Sequence, residues 1–272
     1  MSATAPLACP HCATALAGTT GQLACQNGHH FDVAKGGHVH LARGVVPQGD
    51  TKEMLAAREQ VVTSGMFAPL YQRVATLVTP TLCEAGTPVV ADIGAGTGAL
   101  LAQLVALRAG TVGVAIDSSP YAARRAQRAH TNIQAVVADA WQPLPLLRGS
   151  VTVVTSVFAP RNPASFATVL HKDGVVVVVS AGQTHLVELR ERFGLMDIEA
   201  NKAERIQSQF DTAFTCAHVE TFPWHVACDD TLAYAMMAMG PNAHHHQVTK
   251  DAVTFTGDVT CEVMIHLFAP RT

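Results

Sequence analysis

The chain has 272 residues, of which 49% are hydrophobic and 14% charged. That balance excludes an intrinsically disordered protein, whose sequence is rich in charge and poor in apolar residues. The formal net charge of −3 excludes binding of duplex nucleic acid by general charge attraction alone, although a local basic surface is compatible with it.

The sequence contains no sign of a membrane span or an export signal. No stretch approaches the ~18 apolar residues of a spanning helix, and the N-terminus lacks the basic and apolar regions of a secretory signal. The seven cysteines are an odd number, which argues against a disulfide framework and for a reducing compartment. We therefore expect a cytoplasmic protein without membrane association.

Three of the cysteines lie close together near the N-terminus. Cys9 and Cys12 are separated by two residues, and Cys25 precedes His29 by four. Three thiolates and one imidazole suit tetrahedral zinc, and so short a segment with almost no core needs such a crosslink to fold. The spacing predicts a zinc-binding module over residues 1–43, with His30 as an alternative to His29.

The next segment, residues 44–87, is predicted to contain a linker and two helices. The linker covers 44–51, and Asp50 or Thr51 can cap a helix over 52–62. The second helix fits 68–78 and is expected to end there, because Pro80 follows.

From residue 88 onwards short β-branched runs alternate with helical stretches. The predicted strands are 89–93, 112–116, 133–138, 151–157 and 175–180, and the predicted helices are 97–108, 119–130, 163–171 and 183–194. Apolar strands that alternate with helices indicate a parallel sheet covered on both faces. The tail differs: 217–226, 253–256 and 259–268 predict antiparallel strands at one edge, and 230–239 a helix. Residues 88–272 are thus expected to form an α/β, Rossmann-like domain.

A glycine-rich turn follows the first strand of this domain. The candidate ligand-binding residues in it are Asp92, Gly94, Gly96, Thr97 and Gly98. Glycines there let the backbone approach a ligand closely. The stretch also matches the dinucleotide pattern. Two features favour S-adenosylmethionine instead: Gly98 is a third alternate glycine, and Asp92 lies two residues before the first glycine, where its carboxylate can help to hold the cationic amino-acid end of that ligand. This order resembles the first motif of class I S-adenosylmethionine-dependent methyltransferases.

Two more acids follow strands of the predicted sheet. Asp117 ends the second strand, where a carboxylate can accept both ribose hydroxyls. Asp139 follows the third strand, where the resemblance to class I methyltransferases implies contact with the adenine amino group. Taken alone, either acid could equally be a helix cap or loop residue.

Taken together, the two modules resemble the zinc-containing 23S rRNA guanine-N1 methyltransferases, the family that includes the tylosin-resistance enzyme. The resemblance runs along essentially the whole chain. Its motifs are Cys9-Pro10-x-Cys12, Cys25-x3-His29-x-Phe31-Asp32, Ala34-Lys35-x-Gly37, Gly49-Asp50 with Met54 and Ala57-Arg58, the Asp92 loop, Phe158-Ala159-Pro160-Arg161-Asn162, and Gly240-Pro241-x-Ala243-His244-His245. It implies methylation of N1 of one guanine in a domain II hairpin of 23S rRNA, serving either housekeeping modification or resistance to tylosin-type macrolides.

Guanine N1 lies on the paired edge of the base, so such an enzyme must expose it. Phe158 and Pro160 follow the fourth strand and are expected to face the flipped base, although a turn that leads into a helix is the alternative. Arg161 could meet O6 or a phosphate, and a solvated loop position explains it equally well. His244 or His245 are candidate bases, although a polar loop is the simpler interpretation of both.

Basic side chains around the zinc module are candidates for phosphate contacts: Lys35, Arg43, Lys52 and Arg58. Arg124, Arg125 and Arg128 share one predicted helix, for which a solvated face is the simpler interpretation. A homodimer is also expected.

Three other functions stay open at this stage. They are a small-molecule methyltransferase with a structural zinc cap, a non-catalytic RNA-binding assembly protein, and a dinucleotide oxidoreductase.

Overall fold

The computed structural model describes residues 4–18, 21–47, 49–240 and 249–271. Its strands are β1 Leu16–Gly18, β2 Gln22–Cys25, β3 His30–Asp32, β4 Val39–His40, β5 Val89–Ile93, β6 Val112–Asp117, β7 Ile133–Val137, β8 Val151–Val157, β9 Leu170–Ala181, β10 Phe214–Cys228 and β11 Gly257–Pro270. Its α-helices are α1 Lys52–Thr63, α2 Ala68–Glu84, α3 Ala99–Ala106, α4 Pro120–Ala129, α5 Pro163–Val169, α6 Val187–Phe193, α7 Lys202–Phe210 and α8 Asp230–Ala238.

The described strands form two sheets. β1, β2 and β3 make a small antiparallel sheet at the N-terminus. The large sheet has the order β10-β11-β9-β8-β5-β6-β7-β4. Strands β4 to β9 run parallel, and β11 and β10 add antiparallel strands at one edge. The predicted parallel sheet with an antiparallel edge is confirmed.

Helices cover both faces of the large sheet, as the apolar strands predict. One core contains Leu70 and Val74 of α2 against Val90 of β5. The other contains Phe166 of α5 and Phe210 of α7 against Val178 of β9. Both faces of the central strands are therefore dry, which explains why these strands lack polar alternation. Within the described residues, no helix is long and apolar enough to cross a membrane.

The prediction that α2 ends at Val78 is wrong, because the helix continues through Pro80 to Glu84. Pro80 is exposed, and so is Thr76, the residue whose carbonyl loses its helical partner. The buried stripe Leu70, Val74, Val78 and Leu82 keeps its four-residue spacing across the proline. Burial of Leu82 thus outweighs the missing backbone hydrogen bond.

The tail differs from the prediction in two places. Residues 253–256 are not a strand; the backbone N–H of Phe255 donates to Asp230 of α8 at 2.5 Å instead of to a neighbouring strand. Helix α7 was not predicted, because its buried apolar residues are only Ile206 and Phe210. Two apolar residues in nine give too weak a periodicity.

The N-terminal segment packs directly on the large sheet. Val39 and His40 of β4 pair with Val136 and Val137 of β7, and Leu7 forms a bridge to Leu146. The predicted boundaries after residues 43 and 87 remain a prediction, and the segments that they separate are in close contact.

Candidate functional site

Four candidate metal ligands lie together at one end of the small sheet. The ligand atoms of Cys9, Cys12, Cys25 and His29 are all within 4.8 Å of one another. The Cys12 and Cys25 sulfurs are 3.7 Å apart, and His29 Nδ1 is 3.3 Å from the Cys25 sulfur. Tetrahedral zinc with bonds of about 2.3 Å to sulfur needs ligand separations of roughly 3.8 Å. The donor set and its spacing therefore fit zinc.

Local backbone geometry brings these ligands together. Cys25 ends β2, and a turn through Gly28, at φ +80°, leads to His29. The Cys25 N–H donates to the His29 carbonyl at 3.1 Å. A hydrogen bond from the Thr14 hydroxyl, at 3.1 Å, lowers the pKa of the Cys12 thiol to about 5. That shift favours the thiolate, the form that binds metal. His30, the alternative ligand, instead contacts Gln22.

The glycine-rich turn between β5 and α3 has the geometry that the sequence predicts. Gly94, Gly96 and Gly98 all have positive φ. A Cβ on Gly94 would lie 2.5 Å from the Ala159 Cβ, and one on Gly98 would lie 2.8 Å from the Ala126 Cα. Gly94, Gly96 and Thr97 line a cleft, whereas Gly98 packs against α4. Gly98 is thus required for helix packing.

The three predicted acids line this cleft or its continuation. Asp92 lies beside the turn, and Asp117 and Asp139 line an adjoining cleft of about 910 Å³, open solvent included. Asp117 accepts the backbone N–H groups of Gly96 at 2.9 Å and Ser119 at 2.8 Å. Asp139 accepts the Trp141 N–H at 2.9 Å. A carboxylate has about four acceptor positions, so each acid keeps capacity for a ligand.

Burial changes the acidity of two of these groups. Asp92 is 4% exposed and accepts the Thr155 hydroxyl at 2.6 Å. Its burial raises the pKa of Asp92 to about 7. Burial also raises the pKa of Asp117. Such desolvated carboxylates are sites at which a positively charged or hydroxyl-bearing ligand replaces lost water.

Helix α1, helix α2 and the residue that precedes α2 supply side chains to the cleft that sequence reasoning did not place there. Arg58, Phe67 and Tyr71 line the cleft beside Asp92. Arg58 was predicted as a phosphate contact beside the zinc module; instead it pairs with Asp50 at 2.8 Å and approaches Gly96. Burial raises the pKa of Tyr71 well above its usual range, so its hydroxyl keeps its proton. The only sign of this arrangement in the sequence was that Asp50 and Arg58 occur in the same motif of the resemblance.

Phe158 stands at the junction of the two clefts. Its φ is +52° and its side chain is 41% exposed, an unusual combination for an aromatic residue. The ring centroid lies 6.2 Å from that of Phe67 and 5.7 Å from that of His185. Burial lowers the pKa of His185 to about 4, so this ring is neutral.

A side-chain hydrogen bond holds the turn that carries Phe158. Ser156 donates from its hydroxyl to the Pro160 carbonyl at 3.2 Å. Pro160 lines the larger cleft, and its contact with a bound base remains a prediction. Arg161 lies outside both clefts and is half-buried.

The other basic residues considered for phosphate contacts differ in their exposure and in the groups that they contact. Lys35 and Arg43 are exposed, and Lys52 lies 5.0 Å above the Tyr121 ring. Arg125 pairs with Glu59 at 2.6 Å. The candidate bases His244 and His245 lie outside the described residues.

Comparison with known proteins matches both parts of the chain. The model of the N-terminal zinc-ribbon family of RlmA matches residues 7–42, and a methyltransferase-domain family matches residues 90–174. The 23S rRNA (guanine(748)-N(1))-methyltransferase of Streptomyces fradiae is 37% identical over 88% of this chain and 86% of its own length. The chain belongs to the family of 23S rRNA (guanine-N1)-methyltransferases. A Micromonospora griseorubida relative, to which the same activity is assigned provisionally, is 37% identical over 88% of this chain and 87% of its own.

Solved structures show the fold. The YcgJ protein of Bacillus subtilis superposes with a TM-score of 0.50 at 16% identity, over 74% of this chain and 98% of that one. The fold is the class I S-adenosylmethionine-dependent methyltransferase fold with a small N-terminal zinc-binding module.

Proposed function

We propose that this protein methylates N1 of a guanine in 23S rRNA, within a hairpin of domain II. The observation that carries the proposal is the relationship to the Streptomyces fradiae enzyme, which extends over 88% of this chain. The two family models match the zinc-binding module and the methyltransferase domain separately. The geometry of the clefts supports it, because a ligand cleft with three acids adjoins an exposed aromatic residue.

The cofactor would lie along the carboxyl ends of β5, β6 and β7. When bound, S-adenosylmethionine supplies an activated methyl group. Asp92 would hold its ammonium group, Asp117 its ribose hydroxyls and Asp139 its adenine amino group. Gly94, Gly96 and Thr97 let the backbone approach it, and Gly98 fixes α3 behind them.

The guanine would enter beside Phe158 and Pro160. Phe158 presents an exposed face on which a flipped base can stack, and its positive φ fixes the direction of the ring. The Ala159 and Pro160 carbonyls already accept the Ser156 hydroxyl, which leaves each one acceptor position for a base N–H. Most of the rate then comes from positioning.

The test is methyl transfer to a transcript of 23S rRNA domain II, read by reverse transcription. A methyl group on N1 blocks base pairing, so we expect a new stop next to one guanine, dependent on S-adenosylmethionine and on the protein. Asp117→Ala should give a weaker stop than the wild type when S-adenosylmethionine is limiting.

The other outcomes identify the rival functions. Methyl incorporation without a reverse-transcription stop would exclude N1 as the acceptor. Transfer to small acceptors alone would make the protein a small-molecule methyltransferase, and RNA binding without transfer would make it an assembly protein. Calorimetry that shows binding of NAD in place of S-adenosylmethionine would indicate an oxidoreductase.

The homodimer and the cytoplasmic location remain predictions. Sedimentation of the purified protein tests the first, and fractionation of the host cells tests the second. Growth of a deletion strain on tylosin distinguishes macrolide resistance from housekeeping modification.

A further inference from the structure

Trp141 exposes an aromatic ring that has no partner in the described part of the chain. The residue is 60% exposed, more than any other tryptophan, tyrosine or phenylalanine that the structure describes. Its indole N–H donates no hydrogen bond to a described residue, and its ring contacts no other ring or cation among them. Since a packed tryptophan ring contributes much apolar burial, its exposure at a cleft marks a face for a ligand.

The exposed ring lies in the cleft that is proposed to receive the guanine. Trp141 lines the larger cleft together with Phe158 and Pro160. Phe158 is also exposed, so two exposed aromatic side chains share this cleft. Tyr121 of α4 is exposed as well but lines neither cleft.

Hydrogen bonds hold the backbone of Trp141 on both sides. Its N–H donates to the Asp139 carboxylate at 2.9 Å, and its carbonyl accepts the side-chain N–H of Asn162 at 2.8 Å. Asn162 in turn accepts the Ser165 N–H at the start of α5. The segment after β7 is therefore tied to the turn after β8 that carries Phe158. The ring stands on a fixed backbone, which lowers the entropy that a ligand must offset.

We propose that the Trp141 indole stacks on the base of a nucleotide adjacent to the guanine that enters at Phe158. The inference rests on the proposed function and adds a substrate contact to it. Proteins hold single-stranded RNA by stacking successive bases on aromatic side chains, and every base offers a face for such a contact. Two exposed rings in one cleft suit two neighbouring bases.

The occupant is an RNA base and not the cofactor adenine. The acids assigned to the cofactor, Asp117 and Asp139, are only partly accessible, whereas the Trp141 ring is open to solvent. The hydrogen bond from Asn162 also connects Trp141 to the residues proposed to face the guanine.

The first arm of the test compares Trp141→Ala and Trp141→Phe with Leu107→Ala in the full-length protein. Leu107 is an exposed apolar residue that follows α3 and lines neither cleft. We expect Trp141→Ala to raise KM for the domain II transcript about tenfold, as for the loss of one base–aromatic stack, with a smaller effect on kcat. Trp141→Phe should restore most of the affinity, because it keeps a ring. Leu107→Ala should change neither constant, and affinity for S-adenosylmethionine should not change in any variant.

A second arm reads the ring directly by fluorescence. The chain has two tryptophans, and the other, Trp224, is buried and donates to the Met66 carbonyl at 2.9 Å. The transcript should quench the tryptophan fluorescence of the wild type, because a stacked base covers the Trp141 indole. Trp141→Phe, which keeps only Trp224, should lose this response. S-adenosylmethionine alone should leave the wild-type signal nearly unchanged.

A third arm locates the base. An abasic nucleotide is placed in turn on each side of the guanine that the wild type methylates. One position should weaken binding to the wild type and reduce the quenching, but should not weaken binding to Trp141→Ala further. A different base at that position should have little effect, since stacking tolerates every base.

A Trp141→Ala protein that behaves like Leu107→Ala would overturn the proposal, as would abasic substitutions that weaken binding to both proteins equally. Loss of S-adenosylmethionine affinity in Trp141→Ala would place the cofactor adenine on the ring and overturn it as well. If the transcript quenches Trp141 but the wild type transfers no methyl group, the proposed function fails and the stacking contact stands.

Discussion

Asp92 shows how burial, which the sequence does not display, sets the chemistry of a predicted site residue. The sequence places this acid two residues before Gly94, but its acidity depends on Thr155 and on the apolar strands around it. Burial raises the pKa of Asp92 to about 7, against a weaker opposing effect of the Thr155 hydroxyl. The group therefore changes charge in a range where most carboxylates are fully ionised.

This acidity makes cofactor binding pH-dependent. Below about pH 7 the Asp92 carboxyl is protonated and cannot offset the ammonium charge of S-adenosylmethionine. We expect affinity to rise about tenfold between pH 5.5 and pH 7, as the carboxylate forms. Calorimetric titration across this range measures the effect. Asp92→Asn should bind S-adenosylmethionine weakly, with an affinity that does not change over this pH range. If the affinity of that variant still rises with pH as in the wild type, the titrating group is not Asp92.

Asp117→Ala should weaken S-adenosylmethionine binding by roughly 1–3 kcal/mol, because the ribose hydroxyls would lose their acceptor in a desolvated site. The fold should persist, although the Gly96 and Ser119 N–H groups also lose this partner. Calorimetry gives the affinity and circular dichroism the fold. Asp173→Ala, an exposed acid in β9, is the matched control. Wild-type affinity in Asp117→Ala would remove this residue from the cofactor site.

At the scale of elements, the fully buried strands were the most predictable. β5 and β8 have the predicted bounds, because every residue of β5 and nearly every residue of β8 is buried. The end of α2, by contrast, depends on Leu82 packing beyond Pro80. The position of β4 depends on its pairing with β7, since two residues carry too little pattern to predict a strand.

The site residues also divide into those that the local sequence pattern indicates and those that depend on packing between elements. The acids and metal ligands could be predicted because their spacing along the chain reflects strand ends and metal geometry. Arg58 and Tyr71 could not, because they reach the cleft only once α1 and α2 pack over the sheet.

The proline inside α2 gives a test of this helix. Pro80→Ala restores a backbone N–H in the helix interior and should raise the free energy of unfolding by about 1–3 kcal/mol. Pro69→Ala is the control: Pro69 lies in the first turn, where the N–H has no helical partner, so the change should stay within about 0.5 kcal/mol. Urea denaturation measures both. Equal effects would show that the interior position of Pro80 is not the cause.

At the scale of the whole molecule, the zinc-binding module and the cofactor cleft are built from different parts of the chain. The residues that line the two clefts begin at Pro47, and the metal ligands end at His29. The two parts nevertheless touch, since Gln134 of β7 donates to the Gly37 carbonyl at 3.0 Å. The module is therefore fixed in place, and none of its described residues lines either cleft.

This separation predicts that zinc removal uncouples RNA methylation from cofactor binding. Cys25→Ser should abolish the content of about one zinc per chain, because three ligands cannot close a structural tetrahedral site. The N-terminal sheet should then lose order, and methylation of the 23S transcript should fall at least about tenfold if this module selects the RNA. Affinity for S-adenosylmethionine should stay near the wild-type value, since no described residue of the module lines a cleft. Cys83→Ser, an exposed cysteine of α2, should change none of the three quantities.

Elemental analysis measures the zinc content, calorimetry the cofactor affinity and the reverse-transcription assay the methylation. Full methylation without zinc would reduce the module to a structural cap, and loss of cofactor affinity in a protein whose sheet stays folded would show that the module supports the cleft through β4.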